Sequence, residues 1–497
     1  MKFTSKLGSF QNWFTEFFNQ EKTVYLFVFL IAFLIRLLPE IIVPSYPVGY
    51  ETITYYAPAM INSEVVSVFP LSIFEHLAFI ETQKPLLDTF RAGPLFFIMM
   101  WSLSDLTGAN SFLLLKIVAP ILYGFLGISF FVFVRRVIKF DLKVSLFSVL
   151  LLIFQIATLR ESWDRHRDIL SLFFLFTTLT VLAMKDSKQK WATTIFLSVF
   201  TVLSRDYVGF LLLITVVGYT LYLKEDKIKN LLLFAPAIVF LLAIFNEVYL
   251  EWNYFSNSSP FLLSNYWWAV QDSLIIFLTC YLIVFPLVLF GIRKNHFLTP
   301  MVICILLGSF SFIIFPWLAI PGYQRWLMLL VFPFSIYASW GIFRLNLGKH
   351  KKKILLGTLM TFMILGSAYS LGQISYVVMA PNSYVPINMV KTSIEWNHIK
   401  DVQNSITWFQ ENIHSSSILL TEERFYGWVL LSLKDQDENV SLIAYGANAP
   451  LSPVLNDVLI STSKQVYLMW YTDFPPLDFQ YIYSHGAITV YRYDNRT

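Results

Sequence analysis

Cysteine, charge and nucleotide-binding signatures are all scarce in this chain, and each shortage removes a class of function. The two cysteines, Cys280 and Cys304, lie inside apolar runs, which excludes a disulfide scaffold and a Cys-based zinc site. Charged residues make up only 14% of the chain, against about 25% in soluble domains. No Walker loop, dinucleotide fingerprint, zinc motif or esterase elbow is present, which disfavours chemistry on a soluble nucleotide. The string HRDILSLF imitates a kinase motif, but it lacks the downstream Asn and Gly-rich loop and runs straight into an apolar segment.

What the chain has in excess is apolar surface. Of its 497 residues 56% are hydrophobic, with 48 Phe, 26 Tyr and 14 Trp, and the mean hydropathy is +0.61. No single water-facing domain could bury so much, so the composition predicts a body embedded in a membrane. A crossing helix needs roughly 17–25 mostly apolar residues. Eleven segments are read as spans: 23–43, 112–134, 144–160, 168–184, 191–204, 207–223, 231–250, 273–292, 298–316, 325–343 and 354–378, of which 191–204 is short and borrows interfacial residues. A twelfth candidate, 91–108, carries Asp105 and is bounded by Gly and Pro, and reads as a helix that dips without crossing.

Charge distribution supports that choice, because short cytoplasmic loops collect Lys and Arg. With eleven crossings, the N-terminal tail and alternate loops hold 20 of the 36 basic residues but 6 of the 32 acids. A twelfth crossing would put the KKK run at 351–353 outside. The expected topology therefore has a cytoplasmic N-terminus and an extracytoplasmic C-terminus. Residues 1–378 form the transmembrane domain, with a long first outer loop at 44–110. Residues 379–497 alternate helical and strand-like runs, from HIKDVQNSITWFQENI through SILLT, EERFYGWVLLSL, VSLIAY, PVLNDVLIST and QVYLMW to AITVYRY, and predict a small α/β domain outside the membrane. The sequons at Asn257, Asn439 and Asn495 also fall outside but carry little weight.

Ionisable residues collect on the same outer side. They occur in PVGYETITYYA and KPLLDTFRAGP of the first loop, in ATLRESWDRHRDILSL at 157–172, in LSRDYVGF and in IPGYQRWLMLL. Charges at membrane depth cost several kcal/mol and mark either sites or mutual pairs. Arginine forks bind phosphate bidentately, so a carboxylate ringed by arginines beside an aromatic-rich groove suits a lipid-linked phosphate. If that phosphate carries a sugar, transfer needs one carboxylate as general base and fixed positive charge at the departing oxygens. Hydrolysis would require a second carboxyl group.

Glu51 could be a solvated loop acid. Asp164 and Asp168 could neutralise Arg165 and Arg167 or favour a helix N-terminus, and Glu161 suits a structural ion pair. Arg160, Arg165 and Arg167 could be snorkelling anchors, and Arg205 with Asp206 a turn pair. Arg36 and Glu40, one turn apart, are expected to pair with each other. His166 has no second histidine nearby to make it a metal ligand.

The order of these segments resembles the type C glycosyltransferases. A first span is followed by an outer loop with an acid in PVGYETITYYA, and then by a GPLFF-type dipping helix. A basic inner loop, a second outer loop whose acid opens a helix, the PGYQRW element and a C-terminal outer domain complete the order. The resemblance covers most of residues 20–378. It implies a polytopic helical fold, a polyprenyl-phosphate-linked sugar donor, an inverting transfer to a hydroxyl acceptor, and a catalytic acid in the first outer loop. Glu51 occupies that acid's position, although the family usually has Asp there. On this reading Glu51 is the general base, and Lys84, Arg91, Arg160, Arg165, Arg167, Arg205 and Arg325 are candidates to hold the phosphate. Asp164 accompanies them, and Tyr50 and Tyr55 position the sugar. The WWDYG signature of oligosaccharyltransferases is not present, which argues against a metal-dependent oligosaccharide transferase. A monophosphate donor needs no metal, whereas a diphosphate donor could recruit a divalent ion between Glu51 and Asp164; no cofactor is the expectation. The rival functions are a transporter or flippase, which would show related halves and mid-depth charges, and a receptor that uses the membrane body as an anchor.

Overall fold

The computed structural model describes residues 21–43, 47–57, 60, 93–222, 227–245, 266–315, 320, 322–345, 348–372, 390–413, 416–433, 440–445, 451–461, 464–471 and 479–493. The chain divides into two compact units. The first is helical and holds the apolar spans. In chain order the helices are α1 (Glu21–Ile42), α2 (Pro94–Thr107), α3 (Ser111–Val132), α4 (Leu142–Phe154), α5 (Ile156–Asp164), α6 (His166–Leu182), α7 (Lys188–Ser204) and α8 (Asp206–Tyr222), with the stretch Ser104–Leu115 grouped with the second unit. They continue with α9 (Lys227–Leu232), α10 (Ala235–Phe245), α11 (Tyr266–Tyr281), α12 (Phe285–Gly291), α13 (Leu298–Ile314), α14 (Tyr323–Leu329), α15 (Val331–Arg344) and α16 (Lys351–Leu371).

Local chemistry sets several of these boundaries. Asp141 starts α4 by accepting a hydrogen bond from the Val144 amide at 2.8 Å, and Ser187 starts α7 by accepting from the Lys190 amide at 3.0 Å. Among the described residues four helices are long and apolar enough to cross a membrane, or six if each bent pair counts as one span. The bends correct the sequence reading. The span expected at 144–160 breaks at Gln155, whose extended backbone (φ −72°, ψ 132°) turns α5 by 58° from α4. The Gln155 amide then donates to the Cys280 carbonyl. The span expected at 273–292 is likewise two helices, α11 and α12, bent by 78°. Helix α2 has 14 residues, or about 21 Å at 1.5 Å per residue, too short to cross a core of about 30 Å upright.

Glycine permits the closest helix crossing. Gly291 of α12 faces the Tyr337 carbonyl of α15, and Gly341 faces the Leu287 carbonyl. A Cβ on either would overlap that backbone, so the two helices meet through small residues as membrane helices often do.

The second unit contains a five-stranded sheet of β1 (Ser417–Glu422), β2 (Val440–Tyr445), β3 (Gln465–Tyr471), β4 (Phe479–His485) and β5 (Ile488–Tyr493), in the order β2-β1-β3-β5-β4. β1 pairs parallel with β2 and β3, and all six of its residues are buried, as a parallel strand covered on both faces requires. Helices α17 (Ile399–Asn412), α18 (Glu423–Leu433) and α19 (Leu451–Ser461) belong to the same unit. Ile418, Leu420, Val466 and Leu468 form its core with Leu455 and Val458 of α19. β4 was not anticipated: its bulge at Tyr481/Tyr483 and largely exposed residues break the apolar alternation.

Described residues of the first loop, among them 49–57, also belong to this unit. Gly49 adopts φ 144°, a conformation open to glycine, immediately before Tyr50 and Glu51. Thr52–Tyr56 then forms a π-helical turn. The Tyr50 amide donates to the Lys391 carbonyl at 2.9 Å. Gly427 of α18 lies so close that a Cβ would be 2.6 Å from the Ile53 carbonyl.

Candidate functional site

Within the helical unit, the charged segments picked out from the sequence converge. Arg160, Glu161, Arg165, His166, Arg167, Asp168, Arg205 and Asp206 are all buried, so the arginines are not snorkelling surface anchors. The break at Gln155 gives α5 its own axis, and Arg165 (φ −109°, ψ 58°) turns the chain into α6. Glu161, expected to serve a structural ion pair, forms it with Arg165 one helical turn on. Asp168 does more than favour its own helix end. Arg205 Nε lies 3.1 Å from Asp168 Oδ1 and 3.7 Å from Asp206 Oδ1, and the Tyr207 hydroxyl donates to Asp168 Oδ2 at 2.6 Å.

Arg325 enters from another helix. Gly322, at φ 70°, opens α14, the Arg325 amide bonds back to the Gly322 carbonyl at 2.7 Å, and the Arg325 charge reaches Glu161 and Asp168. Arg167 lies 6.0 Å from the centre of the Phe97 ring of α2. At Gly93 an added Cβ would come within 2.5 Å of the Ser204 carbonyl and 2.9 Å of Arg167 Cδ, so glycine there lets the start of the dipping segment lie against the cluster. His166 stacks on Phe96 at 5.6 Å.

Arg36 secures this assembly from α1. Its Nη1 lies 2.7 Å from Glu40 Oε1, as expected from their spacing. The sequence did not reveal its second task. Arg36 donates to the Ser162 carbonyl at 3.0 Å and the Trp163 carbonyl at 3.5 Å, and its guanidinium lies 4.5 Å from the Trp163 ring. These carbonyls are in the last turn of α5, where intrahelical donors run out and a cation is favoured.

A groove of about 550 Å³ leads away from the cluster. Asp206 and Tyr207 lie at its polar end, and Phe210, Leu241, Phe245 and Trp326 are among its apolar walls. Tyr207 lies 5.5 Å from the Trp326 ring. Tyr207 was not singled out from the sequence, and Trp326 entered only as part of the PGYQRW element. Asp272 was also missed; it is buried and accepts from Gln324 Nε2 at 3.0 Å.

Glu51, Tyr50 and Tyr55 belong to the other unit, where Glu51 immediately precedes the π-helical turn and Tyr55 is exposed. In that unit Lys391, unremarked in the sequence, is fully buried with its ammonium 5.4 Å from the Trp396 ring centre. Lys84, Arg91, the side chain of Asp164 and the three sequons lie outside the described residues. Among the described residues no group of three or more His, Cys, Asp or Glu side chains could hold a metal ion.

The fold is similar to that of two solved structures of ArnT. The crystal structure of ArnT from Cupriavidus metallidurans bound to undecaprenyl phosphate is similar with a TM-score of 0.51 and 12% identity, over 98% of each chain. ArnT from the same organism in the apo state gives a TM-score of 0.50 and 13% identity, over 97% of this chain and 98% of that one. No protein-family profile matches the sequence, and no curated protein does. The likeness is one of fold.

Proposed function

We propose that this protein is an integral-membrane glycosyltransferase that moves a sugar from a polyprenyl-phosphate donor to an acceptor hydroxyl at the outer membrane face. One observation carries the reading: five buried or half-buried arginines, Arg160, Arg165, Arg167, Arg205 and Arg325, gather with the carboxylates of Glu161, Asp168 and Asp206 at the head of an apolar groove. Guanidinium groups in excess of carboxylates at membrane depth favour an anion, and a groove lined by aromatic and aliphatic side chains favours a long hydrocarbon tail. The likeness to an ArnT structure that contains undecaprenyl phosphate supports the same class of ligand.

In this reaction the acceptor oxygen attacks the anomeric carbon from the face opposite the phosphate. The new C–O bond forms as the sugar–phosphate bond breaks, which inverts the anomeric centre. Glu51 takes the hydroxyl proton, and the polyprenyl phosphate leaves with the bonding electron pair, stabilised by the arginines. Tyr50 and Tyr55 accompany Glu51, and Lys84, Arg91 and Asp164 complete the candidate set. No metal is assigned, since arginines suffice for a monophosphate. The proposed topology keeps eleven spans, a cytoplasmic N-terminus and an extracytoplasmic C-terminal α/β domain at 379–497.

The deciding experiment incubates purified protein with a radiolabelled polyprenyl-phosphate sugar and a panel of glycan, lipid and peptide acceptors. Transfer that Glu51→Gln abolishes supports the assignment. Translocation of an unaltered donor across a vesicle membrane would establish a flippase instead, and transfer lost on chelation and restored by magnesium or manganese would overturn the metal-free chemistry.

A further inference from the structure

A second groove, of about 650 Å³, is formed by α11, α12, α13 and α15. Its walls include Leu274, Phe277, Leu289 and Ile303, and several of them are exposed at the protein surface. The basic residues Arg293 and Lys294 line it beside Thr299, at the end of α12 and the start of α13, and no acidic residue is among its described lining. The first groove has its polar end at Asp206 and Tyr207, beside the arginine cluster. The second has its charge elsewhere: the Arg293 guanidinium lies 5.4 Å from the Trp340 ring, which stacks on Phe140 at 5.0 Å, and the Phe140 carbonyl accepts from Arg135 at 2.7 Å. Arg293 and Lys294 therefore sit beside the basic 135–143 loop. The two acids there are engaged: Glu21 faces Arg136 at 3.3 Å and Arg135 at 3.9 Å, and Asp141 caps α4 by accepting from the Val144 amide at 2.8 Å.

We propose that this groove binds one anionic phospholipid, its headgroup at Arg293 and Lys294 and an acyl chain along α13. A basic pocket between membrane helices is the arrangement that recognises acidic headgroups. The α13 wall from Thr299 to Ile313 is about 21 Å long at 1.5 Å per residue, more than half of a hydrocarbon core of about 30 Å. An acyl chain entering at the basic end thus lies against protein throughout one leaflet. The donor lipid does not fit this place, because its phosphate belongs with the arginine cluster at the head of the other groove. The occupant is a resident lipid that fills the space left by the 78° bend between α11 and α12.

Native mass spectrometry of the delipidated full-length protein tests this, with phosphatidylglycerol and phosphatidylcholine of identical chains as probes. The expected result is tighter binding of phosphatidylglycerol. A basic group near a membrane surface is worth about a five-fold change in affinity at low ionic strength. Lys294→Gln alone should therefore weaken phosphatidylglycerol about five-fold, and the double variant with Arg293→Gln about 30-fold. Leu289→Trp, which fills the groove, should weaken both lipids. Equal affinity for the two lipids, unchanged binding in the double variant, or displacement of phosphatidylglycerol from this pair of residues by polyprenyl phosphate would overturn the proposal. Lys294 is exposed, so its variant folds even if replacing Arg293 disturbs Trp340.

Discussion

Replacing Arg36 with Met tests how the charged cluster is held. The wild-type guanidinium and the Glu40 carboxylate are both essentially inaccessible and 2.7 Å apart. Lys116 Nζ is a more distant 4.0 Å from the other oxygen of that carboxylate. Removing one member of such a buried pair costs about 3–5 kcal/mol, because it leaves a buried charge without its counter-ion. The same change removes the donor from the Ser162 and Trp163 carbonyls, and that contribution lies within the same range. The Arg36→Met, Glu40→Leu double variant removes both charges and should cost only about 1–3 kcal/mol, the penalty for buried carbonyls that have lost a donor. Denaturant unfolding of the four proteins in one detergent, followed through tryptophan fluorescence, completes the double-mutant cycle. The reasoning predicts that the double variant is more stable than Arg36→Met alone. It is refuted if Arg36→Met unfolds within 0.5 kcal/mol of wild type (about the measuring error of such cycles), or if the double variant loses the sum of both singles.

Other perturbations probe separate parts of the account. Glu51→Gln should lower sugar transfer by about 10²–10⁴-fold, the usual contribution of a general base, with unchanged expression; transfer at the wild-type rate would remove the assignment. Gly341→Leu should prevent α12 and α15 from meeting, since even a Cβ overlaps the Leu287 carbonyl, at a cost of about 3 kcal/mol or more; size-exclusion chromatography would show aggregate where wild type gives one peak. Hydrogen bonds from Lys190 and Lys229, each 2.8 Å, draw the Asp186 carboxyl down to about 2. An acid depressed on folding stabilises the native state above its ordinary value of 3.8 and loses that effect as pH falls toward 2. Carbon NMR of labelled aspartate should therefore place the Asp186 midpoint near 2 and show it rising in Lys190→Met; a midpoint at the ordinary value in wild type would contradict the contacts.

Long apolar runs made the membrane body legible, and the grouping of ionisable residues in a few short segments pointed to the arginine cluster. Arg36–Glu40 was readable because a helical turn places i and i+4 together, whereas the partner of Glu161, Arg165, was not picked out. The bends at Gln155 and between α11 and α12 were hidden: hydropathy continues across both breaks, and only backbone angles reveal them. Arg36 as the cap of α5 was equally hidden, since 126 residues separate it from Ser162. The contact of Tyr207 with Asp168 was hidden as well, because nothing in a one-dimensional pattern says which ring faces that carboxylate. In the second unit, the helices and four of the strands followed from period alone. β4 did not, because an edge strand with exposed polar positions resembles a loop in sequence.

Photo-crosslinking with a polyprenyl phosphate that carries a diazirine next to the phosphate tests the central claim most directly. Adducts on α8 near Asp206 and Tyr207, or on α14 near Arg325, that disappear when Arg205 and Arg325 are both replaced by Leu would place the lipid phosphate as proposed. Adducts confined to the Arg293–Lys294 groove, or labelling indifferent to those two arginines, would contradict it.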